Sequence, residues 1–316
     1  MYFPYFRGKQ FELILLREEA QFLAYNNAVP IVAPVRTAFN QLDRTLEALN
    51  DEECDHVTVA NPRAGDYSSN PQPLIEHLVE KQRENPHLIV AVRLDSTTDF
   101  SLVQAIITHS NLKRYALIHN DYPDPNGLQD LIHQAVTQPE YNIFLNQASR
   151  LYKTKFSTQS VLIEDGFHQM RNRDYPQCDY FSDLYITYRD AGFEHFGDYL
   201  TVGERYTDGG GPAYAVAIHL TYIDTNNDRT LWLRHFVSET NDTPGNPGLK
   251  TQEALNKLAE FTQDHPDTIH KTTALNELLR LQREGHYPGL GILKKLSMQH
   301  HLHIVVYAKK ERSANG

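Results

Sequence analysis

Apolar and polar positions along the first half of this chain follow two alternating periods. Short runs of β-branched and aliphatic residues are each followed by a stretch in which apolar side chains recur every three or four positions. Ile31–Val35 is the first such run, with helical spacing from Gln41 to Leu49 behind it. His56–Ala60 precedes a helical stretch over Leu74–Arg83, Leu88–Val92 one over Ser101–His109, and Tyr115–Ile118 one over Gly127–Val136. Tyr141–Leu145 and Ser160–Ile163 supply a fifth and a sixth strand. Ahead of them, residues 8–26 read as an amphipathic helix through Phe11, Leu15 and Phe22.

Repetition of this kind predicts βαβ units on a parallel sheet. Two further runs, Tyr199–Val202 and Ala213–Ile223, bring the strands to eight, and no strand opens onto a Gly-rich nucleotide turn. The expectation is therefore an α/β fold closed as a (β/α)-type, TIM-like barrel rather than an open doubly wound sheet. Its core is placed at 31–237, inside one barrel-like domain over 1–308. Phe181–Phe196 reads as helical, and Ala213–Tyr222 with Leu231–Val237 as a hairpin across the turn-forming Asp224–Arg229. Lys250–Thr262, Thr273–Glu284 and Leu290–His300 form the helices of a C-terminal extension over 249–308. Leu302–Tyr307, rich in β-branched residues, reads as a last strand before a flexible charged tail, 309–316.

Charge and cysteine usage narrow the function classes. Among 316 residues, 40 acids face 30 bases, a net charge of −10, which argues against tight nonspecific nucleic-acid binding by the chain alone. Cys54 and Cys178 form no CxxC pair, so neither a disulfide scaffold nor a cysteine zinc module is expected. No apolar run reaches the ~20 residues that span a membrane, and Pro4 and Arg7 interrupt the opening where a signal peptide would be apolar. The expected location is the cytoplasm, with no membrane partner.

In parallel α/β folds ligands gather at the carboxyl ends of the strands. Here those ends are polar one after another: Arg36; Asn61 and Arg63, with Asp66 beyond; Arg93 and Asp95; His119 and Asp121; Asn146; then Glu164, Asp165 and His168. Arginines collect on the early strands and carboxylates on the later ones. Arg36, Asn61, Arg63, Arg93, His119 and Asn146 are the candidate ligand-binding residues, suited to a small anionic or phosphate-bearing group. Asp95, Asp121, Glu164 and His168 are the candidate catalytic groups, and Glu164 with Asp165 the candidate magnesium or manganese ligands. Asp208–Pro212 reads as a connector, and His300, His301 and His303 as a helix-end cluster.

The opening Met1–Leu13, the following Arg17-Glu18, and Phe196–Leu200 before a Gly-rich loop carry a further signal. In these the chain resembles the uncharacterised bacterial family named after a Sorangium open reading frame, similar to the wider "beta protein" family. That resemblance runs along nearly the whole chain. It implies a barrel-like fold and a protein partner encoded nearby, in phage-defence or mobile-element settings, and it transfers no catalytic residue.

The leading expectation is thus a cytoplasmic barrel that works with a protein partner and binds a small anion at the strand carboxyl rim. One alternative is a metal-assisted phosphodiester hydrolase acting through the rim carboxylates. Another is a non-catalytic interaction scaffold.

Overall fold

The computed structural model describes residues 1–145, 149–208 and 213–315. In chain order its strands are β1 (Tyr2–Phe6), β2 (Ile31–Val32), β3 (His56–Val59), β4 (Leu88–Asp95), β5 (Tyr115–Asn120) and β6 (Tyr141–Leu145). There follow β7 (Ser160–Glu164), β8 (Cys178–Ser182), β9 (His195–Asp198), β10 (Ala217–Asp224) and β11 (Thr230–Val237). Strands β1 to β7 and then β9 pair side by side into a closed barrel, every pair parallel. The barrel class and its first six expected strands are present. By contacts the chain falls into two compact units, Met1–Glu164 with Thr187–Asp198, and Asp165–Ile186 with Tyr199–Gly316.

The barrel's limits differ from the expected 31–237. Its first strand is β1, where five consecutive residues are buried. Pro4 lacks the N–H that a central strand needs, so the run does not advertise itself as one. Its eighth is β9, which begins in the last two residues of the stretch expected to be helical and runs past its end. Tyr199–Val202, expected as a strand, holds a 3-10 turn, and Ala213–Ile223 belongs to another sheet.

Between the strands run α1 (Gln10–Glu18), α2 (Ala20–Tyr25), α3 (Phe39–Asp51), α4 (Gln72–Lys81), α5 (Phe100–Ile107), α6 (Pro125–Gln134) and α7 (Arg150–Lys155). Each of the longer ones buries one stripe, as α3 does with Leu42, Leu46 and Leu49. In the register, Phe3 pairs with Gly197, Gly197 with Ile163, and Ile163 with Leu145. These lie on the face that fills the barrel. Gly197 is required there, because a Cβ would sit 2.0 Å from the Phe3 carbonyl oxygen and 2.4 Å from Ile163 Cδ1.

At the amino ends of the strands, Arg114 ties four connections together. Its guanidinium donates to both oxygens of Asp55 (2.9 and 3.0 Å), to both of Glu140 (2.6 Å each) and to the Pro86 carbonyl at 2.7 Å. His87 completes the set at 3.0 Å from Asp55.

In the second unit, β10, β11 and β8 form an antiparallel sheet in that order. After the short α8 (Leu184–Thr187) come α9 (Pro247–Asp264), α10 (Thr273–Glu284) and α11 (Leu290–Asn315). Ile218, Leu220 and Phe236 of the sheet share a core with Leu255, Leu278 and Leu296 of these helices. The expected strand Leu302–Tyr307 is the middle of α11. Leu293, Leu296, Ser297, His300, His301, Ile304, Val305 and Ala308 are buried, a helical spacing that packing imposes over local β-propensity. Among the described residues no helix is long and apolar enough to cross a membrane.

Candidate functional site

Side-chain alternation sorts the rim into groups that enter the barrel mouth and groups that leave it. On β4, Arg93 and Asp95 share the face of Ala91, whose partners Val59 and Ala116 line the interior, while Leu94 takes the other face. Asp95 is in register with Asn120, and Leu94 with His119. Asn120 is therefore the β5 residue that enters the mouth.

The centre of the mouth is Asp95, whose side chain is 7% exposed. Its Oδ2 accepts from Arg63 Nε at 2.5 Å and from Arg93 Nε at 3.0 Å. Its Oδ1 accepts from Asn120 Nδ2 at 2.5 Å and from the Arg93 fork at 3.4 Å. Thr98 Oγ1 accepts from the Asp95 amide at 2.9 Å. Burial alone would raise this carboxyl, but the Arg93 charge and the donors from Asn120, Arg93 and Arg63 outweigh it and hold the pKa below the usual carboxylate value.

Three neighbours lock the arrangement. Asn61 accepts from the Arg93 amide at 2.7 Å and donates to the Arg93 carbonyl at 2.8 Å, extending the β3–β4 ladder through a side chain. Arg63 also donates to Thr97 Oγ1. Tyr5, 3% exposed, hydrogen-bonds Arg93; its burial raises the phenol pKa and the Arg93 charge opposes that rise. Arg7 continues the inward face of β1 two residues on, is 8% exposed, and adds its charge beside Tyr5. Its own amide donates to Glu12 Oε2. The mouth thus gathers the guanidiniums of Arg63 and Arg93 on Asp95, with the charge of Arg7 beside Tyr5.

No family model, curated protein or solved structure matches the chain.

Of the residues singled out in the sequence, Asn61, Arg63, Arg93 and Asp95 meet at the mouth. Arg36 does not join them: Val35 holds the inward position, and exposed Arg36 faces Asp66 at 3.8 Å. His119 is a core residue. Its Nδ1 meets Tyr152 Oη at 2.8 Å, its Nε2 meets Asn142 Oδ1 at 3.1 Å, and Phe144 and Phe156 stack against it at 4.7 Å. Burial keeps it neutral, with a pKa of about 4. Asp121 is an exposed turn residue with φ of 59°. Glu164 is in register with Asp198, one residue past the inward Ile163 and Gly197, so it takes the outer face.

Asp165 and His168 belong to the second unit. Asp165 accepts from the amides of Phe167 at 3.0 Å and Glu204 at 2.7 Å, which makes it a loop staple. His168 pairs with Asp179 at 2.8 Å. Among the described residues no group of three or more His, Cys, Asp or Glu is placed to hold a metal ion. Asn146 and Gly209–Pro212 lie outside the described residues.

Sequence reasoning missed Arg7, Tyr5 and Asn120. Arg7 and Tyr5 were hidden because β1 was not recognised. Asn120 was passed over between two more conspicuous residues, although counting by twos and aligning β5 on β4 would have found it.

Proposed function

We propose that this protein is a ligand-binding barrel whose mouth takes a small anionic group, phosphate or carboxylate, on Arg63, Arg93 and Arg7. What carries the reading is the saturation of Asp95. With four donors on its two oxygens, it positions guanidiniums and has no free lone pair with which to act as a general base. The same saturation speaks against hydrolysis through this carboxylate. Arginine forks already oriented at a strand end are suited to a planar or tetrahedral anion, and the remaining positive charge favours one. The part played by a protein partner rests on the family resemblance.

The test is thermal unfolding and calorimetric titration of the full chain with sulfate and inorganic phosphate in a chloride-poor buffer. Millimolar anion is expected to raise the unfolding temperature, and the single variants Arg63→Ala and Arg7→Ala to remove most of that rise. An unchanged response in both variants would overturn the reading.

A further inference from the structure

The second unit holds a cavity of about 880 Å³ between the segment 170–173, the start of β10 and the first turns of α11. Its charged lining is all of one sign: Arg171, Arg173 and Lys294. In a chain of net charge −10 this is a local reversal. Asp174 pairs with Arg171 at 2.7 Å and lies 3.8 Å from Arg173, so it neutralises one of the three. Two positive charges remain, matching the charge of about −1.5 to −2 that a phosphomonoester carries near neutral pH.

The wall also holds polar groups waiting for a partner. Thr201 is 3% exposed, lines the cavity, and its hydroxyl has no hydrogen-bond partner among the described residues. His219, 8% exposed, also lines the cavity and uses its Nδ1 on His235. Ser297 Oγ accepts from the His219 amide and keeps its own proton to donate. Buried polar atoms are normally satisfied, so an unpartnered hydroxyl beside a cationic cavity points to an absent ligand. Asn172, which donates to the Ala215 carbonyl at 2.7 Å, adds a polar group, and Met170, Tyr214, Leu290 and Leu293, with small alanines of β10 and the segment before it, add apolar wall. Gly291 lies in the first turn of α11, and the positive end of that helix also favours an anion.

From these features we infer that this cavity, built from residues of the second unit alone, is a binding site for a phosphomonoester with an apolar or aromatic body, of the size of a nucleoside monophosphate. Lys294 and Arg173 hold the phosphate, Thr201 and Ser297 donate to its oxygens, and Tyr214 and Leu293 cover the body.

The full chain would be titrated calorimetrically with AMP, GMP, CMP and UMP, with the four nucleosides, and with inorganic phosphate. At least one monophosphate is expected to bind tenfold or more tightly than both its nucleoside and phosphate. Lys294→Glu, an exposed position that leaves the fold intact, should weaken that binding at least tenfold, and Thr201→Val severalfold. Arg63→Ala, in the barrel mouth, should leave it unchanged. The inference is overturned if no monophosphate binds below millimolar concentration, if Lys294→Glu binds as the parent does, or if Arg63→Ala alone abolishes binding.

Discussion

His219 and His235 face each other across the β10–β11 pair with their Nδ1 atoms 2.7 Å apart, so one must donate and the other accept. That contact needs at least one neutral ring to accept, and it is lost when both are protonated. Burial drives His219 well below the ordinary histidine pKa, with the charge of His235 as the next cause, and it lowers His235 to about 4. Burial likewise takes His56 and His119 to about 4 and His300 to about 3. In the unfolded chain all five titrate near ~6.5. A folded pKa below the unfolded one gives stability that is full above the unfolded value and is lost as pH falls toward the folded one. Urea unfolding at pH 7.5, 6.0 and 4.5 should therefore show stability falling from about pH 6.5 toward pH 4. Equal midpoints at pH 7.5 and 4.5 would contradict this.

His119→Phe separates the core role of this residue from a ligand role. The ring stacks remain possible, while Tyr152 Oη and Asn142 Oδ1 each lose a partner. The expected cost is about 1–3 kcal/mol of stability, in the range for an orphaned buried polar group. The thermal response to phosphate should be that of the parent. A variant that is stable but deaf to anion would restore His119 to the site.

Arg114→Lys tests the clamp at the opposite end of the barrel. Lysine keeps the charge but cannot address two carboxylates with a planar fork. Because Arg114, Asp55 and Glu140 are 26%, 36% and 32% exposed, solvent screening limits the loss to about 1–2 kcal/mol. Hydrogen bonds from Arg114 and His87 outweigh burial and hold Asp55 below the ordinary carboxylate pKa. Its share of stability is thus present above the unfolded value of ~3.9 and lost below it. Chemical unfolding at pH 7 with an unchanged midpoint in Arg114→Lys would show the clamp to be idle.

Gly197→Ala should be far more damaging than its single added carbon suggests. The new Cβ meets a backbone oxygen at 2.0 Å, and backbone cannot rotate away as a side chain can. A loss of about 3 kcal/mol or more is expected, at or beyond the usual range for overpacking. Circular dichroism and soluble yield would register it; a parent-like melting temperature would refute it.

The sequence displayed the barrel better than its limits, and the rim better than its direction. Leu88–Val92 and Tyr115–Ile118 declare themselves as strands because buried parallel strands are continuous apolar runs. Both strands run on into polar residues, to Asp95 and Asn120, and those extra residues build the site. Apolar pattern ends where the mouth begins, so it cannot say which of His119, Asn120 and Asp121 points inward. Register against β4 decides that, and register is a property of pairs of strands. Arg36 and Glu164 fail for the same reason, each standing one residue from an inward position. In α11, Ile304, Val305 and Val306 imitate a strand locally, and only their burial alongside His300 and His301 reveals the helix.

The closure of the barrel by β9 has a consequence for how the chain reaches its fold. Tyr2 donates to Asp198 at 2.9 Å across 196 positions of sequence, and β1 pairs with β9 over the same span. On a ribosome, the first strand made must wait for almost two-thirds of the polypeptide before its second neighbour exists. Until then β1 and β7 are apolar edges with unpaired backbone, the kind of surface that recruits other chains. Long-range pairing of this sort also makes for slow folding. A nascent chain halted after Glu164 would hold seven of the eight staves with nothing to hoop them, and the burden of keeping it from aggregating would fall on chaperones.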